Sequence, residues 1–418
     1  MSHATSVQME LIQGACEDVY YANPEVTKKS CIPTKVTTKY TQAFNSLSGG
    51  TNVFTIPPNY GLQGVAVTMT LPAAPSGQGA NLAIARGWGY SLIKQISYRV
   101  GGSTQFFVTG AQMLQHSLKR MTNQQSKDDL LVLGGSYLTG SGFESASNRA
   151  YVFLDLPWCK ATSEGMPVPL PSDILGSQVQ ITVELNPLSQ LIAVNSTGSI
   201  AAAGLTALAS AQFQVQQLLM ASRDDSLATR ENMATHQYVM PVEFVQQEQV
   251  VPCANTADIQ TIVATGFRSG SVKSIEAWIT KDTDDGVTVR NTNKWYIPQD
   301  ITVTYAGDVY ARFDAGISQL WNLVNGKSSP YVNGLTISYS GGYATTAQQY
   351  GWATLPFAQT YDAADTGDFM LVEGLNVTNG IVNIAFRTPT ASADYKLHLS
   401  YIYNASAVFS QSSCEFVF

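Results

Sequence analysis

The feature that most constrains this chain is a repeat of itself. Residues Ile96–Phe106 (ISYRVGGSTQF) line up with Ile301–Ala311 (ITVTYAGDVYA) at an offset of 205. Each segment is an alternating run, a glycine turn and a second run, followed at once by a helical pattern. Further on, Val179–Val183 (VQITV) matches Val382–Phe386 (VNIAF) at an offset of 203. Two separate matches, in one order and with nearly one offset, point to two copies of one domain. The first copy is expected over residues 35–222 and the second over residues 236–418. Residues 1–34 form an N-terminal arm outside both copies. The charged segment 223–235 (RDDSLATRENMAT) is the expected linker.

Within each copy, period-two alternation dominates. Gln63–Leu71, Leu92–Val100, Val179–Leu185, Gln212–Leu218, Tyr238–Val245, Ile259–Val263, Ile301–Tyr305, Val382–Phe386 and Tyr395–Tyr401 all alternate apolar and polar residues between Gly, Asn, Ser and Pro clusters. Such runs are half-buried antiparallel strands. Helical signals are few. Thr109–Met121 carries a capping box (Thr109 with Gln112) and a stripe of Met113, Leu114, Leu118 and Met121. Ile317–Asn325 repeats the style, with Asp314 as cap and Gly326 as stop. A unit of this size with about eight strands and a short helix fits a jelly roll better than an immunoglobulin sandwich. The latter is nearer 100 residues long and carries a Cys–Trp–Cys pattern missing here. The expected fold class is all-β: two tandem eight-stranded antiparallel jelly rolls, a double jelly roll, with short helices between strands. Pro72–Tyr90, Asn123–Asn148 and Lys327–Leu355 are its long connections.

Charge narrows the function. Asp, Glu, Lys and Arg make up 13% of the 418 residues, against about 25% in ordinary soluble domains. The net charge is −7, and like-charged runs stop at two residues, as in Lys28-Lys29 and Lys119-Arg120. There is no electrostatic footprint for a phosphate backbone. The start of the chain lacks the basic and apolar regions of a secretory signal, and no apolar run is long enough to span a membrane. Five scattered cysteines (Cys16, Cys31, Cys159, Cys253, Cys414) without a CxxC are expected as free thiols.

Little in the sequence is organised for chemistry. The four histidines are His3 in the arm, His116 on the polar side of its helix, His236, and His398 in a strand. HExxH, GxSxG and phosphate-loop patterns are missing. Gly87-Trp88-Gly89 is a turn before the next strand and not a nucleotide loop. Lys281–Gly286 (KDTDDG) fails the spacing of a calcium loop and is expected as a solvated hairpin. Trp88, Trp158, Trp278, Trp295, Trp321 and Trp352 are expected as core or subunit-contact anchors. Sequons at Asn195, Asn376 and Asn404 arise readily in a chain rich in Asn, Ser and Thr. Asp155, Glu184 and Glu243 are the carboxylates nearest strands, but they form no assignable acid–base pair. The sequence therefore assigns no catalytic, cofactor-binding or metal-ligating residue.

Several segments, taken in order, resemble one family. Leu92–Gln115 (LIKQISYRVGGSTQFFVTGAQMLQ) is similar to the strand–glycine–strand–helix segment of the double jelly-roll major capsid proteins of nucleocytoplasmic large DNA viruses and their smaller dsDNA relatives. Gln13–Thr27 (QGACEDVYYANPEVT) resembles that family's N-terminal stretch, with Ala22 in place of the usual Gly. Tyr151–Leu185 resembles two of its strands and their Pro–aromatic–Cys loop, here shortened. Val272–Ile279 (VKSIEAWI) is similar to a strand of the second roll. The resemblance implies a major capsid protein that is not an enzyme. Its chain would trimerise into pseudo-hexameric capsomers tiling an icosahedral shell. Expected partners are copies of itself, minor capsid or penton proteins, and an internal membrane or minor proteins met by the arm. Sequence-specific nucleic-acid binding is not expected. The expected location is the virion, with assembly in the host cytoplasm or nucleus and no secretion. A tandem β-sandwich carbohydrate-binding module and a two-roll glycan amidase remain the alternatives.

Overall fold

A strand with alternating apolar residues has one face that must leave water, and a second sheet is the usual cover. The computed structural model describes residues 38–56, 61–100, 103–120, 124–146, 148–154, 178–194, 198–218, 238–246, 248–265, 270–281, 283–284, 287–288, 295–313, 335–337, 348–350, 352–357, 375–377, 381–409 and 414–417. Eight principal strands come first: β1 (Thr38–Ala43), β2 (Gly50–Ile56), β3 (Gly61–Thr70), β4 (Ile93–Val100), β5 (Ser103–Val108), β6 (Arg149–Leu154), β7 (Val179–Leu185) and β8 (Ser210–Leu218). They pair as two four-stranded antiparallel sheets, β1-β8-β3-β6 and β2-β7-β4-β5.

Eight more follow: β9 (Tyr238–Val245), β10 (Gln260–Ala264), β11 (Ser271–Lys281), β12 (Gln299–Tyr305), β13 (Asp308–Phe313), β14 (Ala353–Pro356), β15 (Val382–Arg387) and β16 (Tyr395–Phe409). Their sheets run β9-β16-β11-β14 and β10-β15-β12-β13. Each order is the first with every strand advanced by eight. Three short strands, Gln249–Pro252, Leu375–Asn376 and Cys414–Val417, extend the larger sheet. Strands that alternate between two facing antiparallel sheets in this order make a jelly roll, and the chain makes it twice.

The repeat holds at the level of single pairs. In the first roll Ile181 lies opposite Tyr98 on one side and Phe54 on the other. In the second, Ile384 lies between Val303 and Ile262. The β4–β5 hairpin slips register between Tyr98 and Arg99, and β12–β13 slips between Val303 and Thr304. Those positions are 205 residues apart, the offset read from sequence. The β4–β7 and β12–β15 strand pairs also each carry an exposed ion pair with the signs exchanged. Lys94 meets Glu184 at 2.6 Å in the first roll, and Asp300 meets Arg387 at 3.2 Å in the second. Exposed pairs of this kind contribute up to about 1 kcal/mol, so reversing the signs cost the fold little.

The cores lie between facing sheets. In the first roll Val65, Val67 and Met69 of β3 and Ala150, Val152 and Leu154 of β6 face Val179, Ile181, Val183 and Leu185 of β7. Phe54 of β2 stacks on Phe213 of β8 with centroids 4.2 Å apart and planes 1° apart, joining the two sheets. The second core uses Ile275, Ala277 and Ile279 of β11, Leu397, Leu399 and Tyr401 of β16, and Val382, Ile384 and Phe386 of β15.

Among the described residues three α-helices sit on the first roll: α1 (Trp88–Leu92), α2 (Gly110–Arg120) and α3 (Gln124–Leu133). The expected Gly87-Trp88-Gly89 turn is the entry to α1, with Gly87 at φ 70°. Gly110 starts α2 where a Cβ would collide with the carbonyl oxygens of Tyr90 and Ile93; only glycine lets α2 sit this close to α1. The connection expected over Asn123–Asn148 contains α3, whose signal is weak because its apolar residues bunch at one end. Of these Leu131 is buried while Val132 and Leu133 are exposed. The helix expected at Ile317–Asn325, the arm at 1–34 and the linker at 223–235 lie outside the described residues. Among the described residues no helix is long and apolar enough to cross a membrane.

Cys253 and Cys414 are free and buried. Burial raises the Cys253 thiol from 9.0 to about 11 against a lowering backbone contact at Leu397, and burial with the Glu415 charge raises Cys414 to about 12. The folded state therefore holds these protons where the unfolded chain releases them. The resulting stability is complete below about pH 9 and is lost as pH climbs through 11 to 12. Denaturant titrations from pH 8 upward should show this loss, and a Cys253→Ala, Cys414→Ala variant should show less of it.

Candidate functional site

The two rolls meet along α2. Thr109 and Gln112 form the expected capping box: the Thr109 N–H donates to Gln112 Oε1 at 3.0 Å, and the Gln112 N–H donates to Thr109 Oγ1 at 3.3 Å. Gln112 has a second task. Its Nε2 donates to the Gln246 carbonyl at 2.8 Å and to Ser400 Oγ at 2.6 Å, both in the second roll. One carboxamide thus closes a helix end with its oxygen and ties the rolls together with its nitrogen.

Glu248 reaches the same helix end from the second roll. Its Oε2 accepts from Thr109 Oγ1 at 3.4 Å, which sets a carboxylate at the positive end of the helix dipole. Its Oε1 lies 3.7 Å from His398 Nδ1. The other ring nitrogen of His398 is 2.9 Å from Thr280 Oγ1, and the ring stacks on Trp278 with centroids 5.2 Å apart. Trp295 packs against Trp278 at 6.5 Å and edge-on to Trp352 at 5.9 Å. A cleft of about 350 Å³ follows this junction, lined by Lys94, Thr109, Glu248, Trp278, Thr280 and His398 among others.

The contacts at this cleft hold one roll against the other. Glu248 is the one carboxylate among the described residues lining the cleft, and it is already engaged by the helix end and His398. Glycoside chemistry needs two carboxyl groups about 5–9.5 Å apart across the scissile bond. What the junction does have is a set of directional contacts that fix one roll against the other.

No family model matches the sequence, and the search of curated proteins found no match either. Solved structures do match. The VP54 protein of PBCV-1, fitted into a cryo-EM reconstruction of the virophage Sputnik, aligns with a TM-score of 0.62 and 12% identity, over 94% of this chain and 100% of that one. The quasi-atomic model of the PBCV-1 virus capsid gives 0.60 and 13%, with the same coverage. The mavirus major capsid protein gives 0.52 and 12%, over 94% of this chain and 93% of that one. The fold is the double jelly roll of these capsid proteins.

The double jelly roll accounts for most residues singled out in the sequence. Trp88, Trp278, Trp295 and Trp352 are buried core anchors; Trp158 and Trp321 lie outside the described residues, as do His3, His236, Asp155 and Asn195. Glu184 is engaged with Lys94 across the β7–β4 strand pair. Glu243 lies in β9 opposite Asn404 of β16, and Asn376 pairs with Ser271. In the Lys281–Gly286 segment, Thr283–Asp284 pairs with Val287–Thr288 as the hairpin expected there. His116, expected on the polar side of its helix, is buried. Gln112, one turn before it on the helix, bonds to Gln246 and Ser400 of the second roll. Gln115 is buried with it. Glu248 and the outward duty of Gln112 had no sequence signal, since their partners are 139, 134 and 288 residues away.

Gln112→Ala should destabilise the protein by about 1–3 kcal/mol, the cost of stranding buried polar groups. Gln112→Glu keeps the cap acceptor but loses the donor. It should destabilise as well, with faster hydrogen exchange around Ser400 in both variants. Denaturant unfolding and exchange mass spectrometry read the two effects separately.

Proposed function

We propose that the protein is a major capsid protein, a structural subunit without turnover. Three copies associate into a pseudo-hexameric capsomer, and capsomers tile an icosahedral shell. The observation that carries this reading is the duplicated roll, one strand order used twice, aligned over nearly the whole of both chains with capsid subunits. Three chains of two similar rolls give six similar wedges, which is how a duplicated domain can fill a hexagonal outline. The sparse charge supports the same reading, because wide lateral contacts favour surfaces with few ions to desolvate.

In this reading residues 35–222 and 236–418 are the rolls and 223–235 is the linker. The arm at 1–34 lies on the inner side, touching neighbouring copies, minor capsid proteins or an internal membrane. Penton and minor proteins complete the shell. The protein resides in the virion after assembly in the host cytoplasm or nucleus, and it makes no sequence-specific contact with nucleic acid.

Purified protein should run as a stable trimer near three times 45.0 kDa, and electron microscopy should show hexagonal capsomers. A strict monomer at high concentration would overturn the proposal. Deleting residues 1–30 should leave the trimer intact and impair shell formation; normal shells from the truncated chain would remove the arm from the assembly role.

A further inference from the structure

Buried polar residues collect at one place in this chain. Twelve are buried among the described residues, and nine of them belong to α2 or to the sheet β9-β16-β11-β14, the two elements that Gln112 joins. On α2, Gln115 and His116 follow Gln112 at the three- and four-residue spacing of one helix face. On the sheet, Ser274 and Glu276 alternate with Ile275 and Ala277, which face the core of their own roll. Glu276 lies opposite Thr354 on one side and Ser400 on the other, and Ser400 accepts from Gln112. A polar seam thus runs where α2 meets the second roll.

This seam is satisfied less well than the cores. Gln115 is 0% exposed, and neither its Oε1 nor its Nε2 has a hydrogen-bond partner among the described residues. A buried amide without partners costs free energy that water would return. Trp278 and His398 are paired across β11 and β16 two residues from Glu276 and Ser400, on the same outer face. There the cleft of about 350 Å³ brings solvent to one end of the seam. Parting the rolls here wets groups that hydrogen-bond to water, whereas unfolding either roll exposes apolar side chains.

We propose that the seam is a joint: the two rolls part along it as intact bodies before either roll unfolds. Gln112 is the latch through its bonds to Gln246 and Ser400, and its release lets water reach Gln115. α2 stays with the first roll, held by the buried Met113, Leu114 and Leu118 and by the close approach of Gly110 to Tyr90 and Ile93. Such a joint changes the angle between rolls at no loss to either core. In a shell, copies at unlike positions would then share one fold. The joint belongs to the single chain, so it stands or falls separately from the capsid reading.

Thiol labelling of the full chain tests it. Ser400→Cys and Gln115→Cys place a thiol on each side of the seam, and Ile384→Cys places one in the second core. Iodoacetamide should modify the first two at one common rate, roughly a hundredfold faster than the third, with the labelled peptides located by mass spectrometry. That common rate should hardly change in dilute urea, while labelling of the core thiol climbs steeply. A core-like rate at either seam position overturns the joint. His116 of the unmutated chain gives a second reading through diethyl pyrocarbonate. Modification at a urea-independent rate is expected, and modification only on unfolding overturns the joint. A chain that opens in this way yet never trimerises keeps the joint and loses the capsid reading.

Discussion

One carboxamide serves two duties where the rolls meet. Gln112 satisfies the start of α2 with its oxygen and grips Gln246 and Ser400 with its nitrogen. An amide side chain is suited to both duties because it offers acceptor and donor from one rigid plane. Neither end can be replaced by an apolar group without leaving buried partners stranded. Glu248 reinforces the contact from the opposite roll, its charge set against the helix dipole. The junction is therefore polar and directional. An apolar contact would attract the rolls as strongly but leave them freer to slide.

Inside each roll the stabilising logic is different. Alternation puts one apolar face on every strand, and the facing sheets bury those faces together, with Phe54 on Phe213 as a bridge between sheets. Burial of this kind is non-directional and scales with area. The strand order and the slipped registers then determine which side chains meet. The protein thus separates the two jobs: apolar area makes each roll, and hydrogen bonds orient one roll on the other.

Where only one face of a strand is buried, its bounds were legible. Alternation marks Val179–Leu185, which is β7 as found. Where both faces are covered the pattern fades. β11 is buried along nearly its whole length, including Glu276, so resemblance rather than alternation indicated it. β16 was read only to Tyr401 but runs to Phe409, because Ile402 and Tyr403 are both buried and break the alternation. The cap of α2 was visible because its residues are neighbours in sequence. The junction was not, because its partners come together only after both rolls have formed.

The slipped hairpins carry a consequence about descent. A register slip inserts a bend at one point in a strand pair, and nothing in general strand chemistry requires it there. Both hairpins have it at equivalent residues, Tyr98/Arg99 and Val303/Thr304, although few side chains around them still agree. A slip at equivalent residues of both hairpins is what two copies of one bent roll would carry, while the ion pairs Lys94–Glu184 and Arg387–Asp300 show how far their surfaces differ. The second half of this chain is thus a diverged sister of the first, and the asymmetry between them is younger than the fold they share.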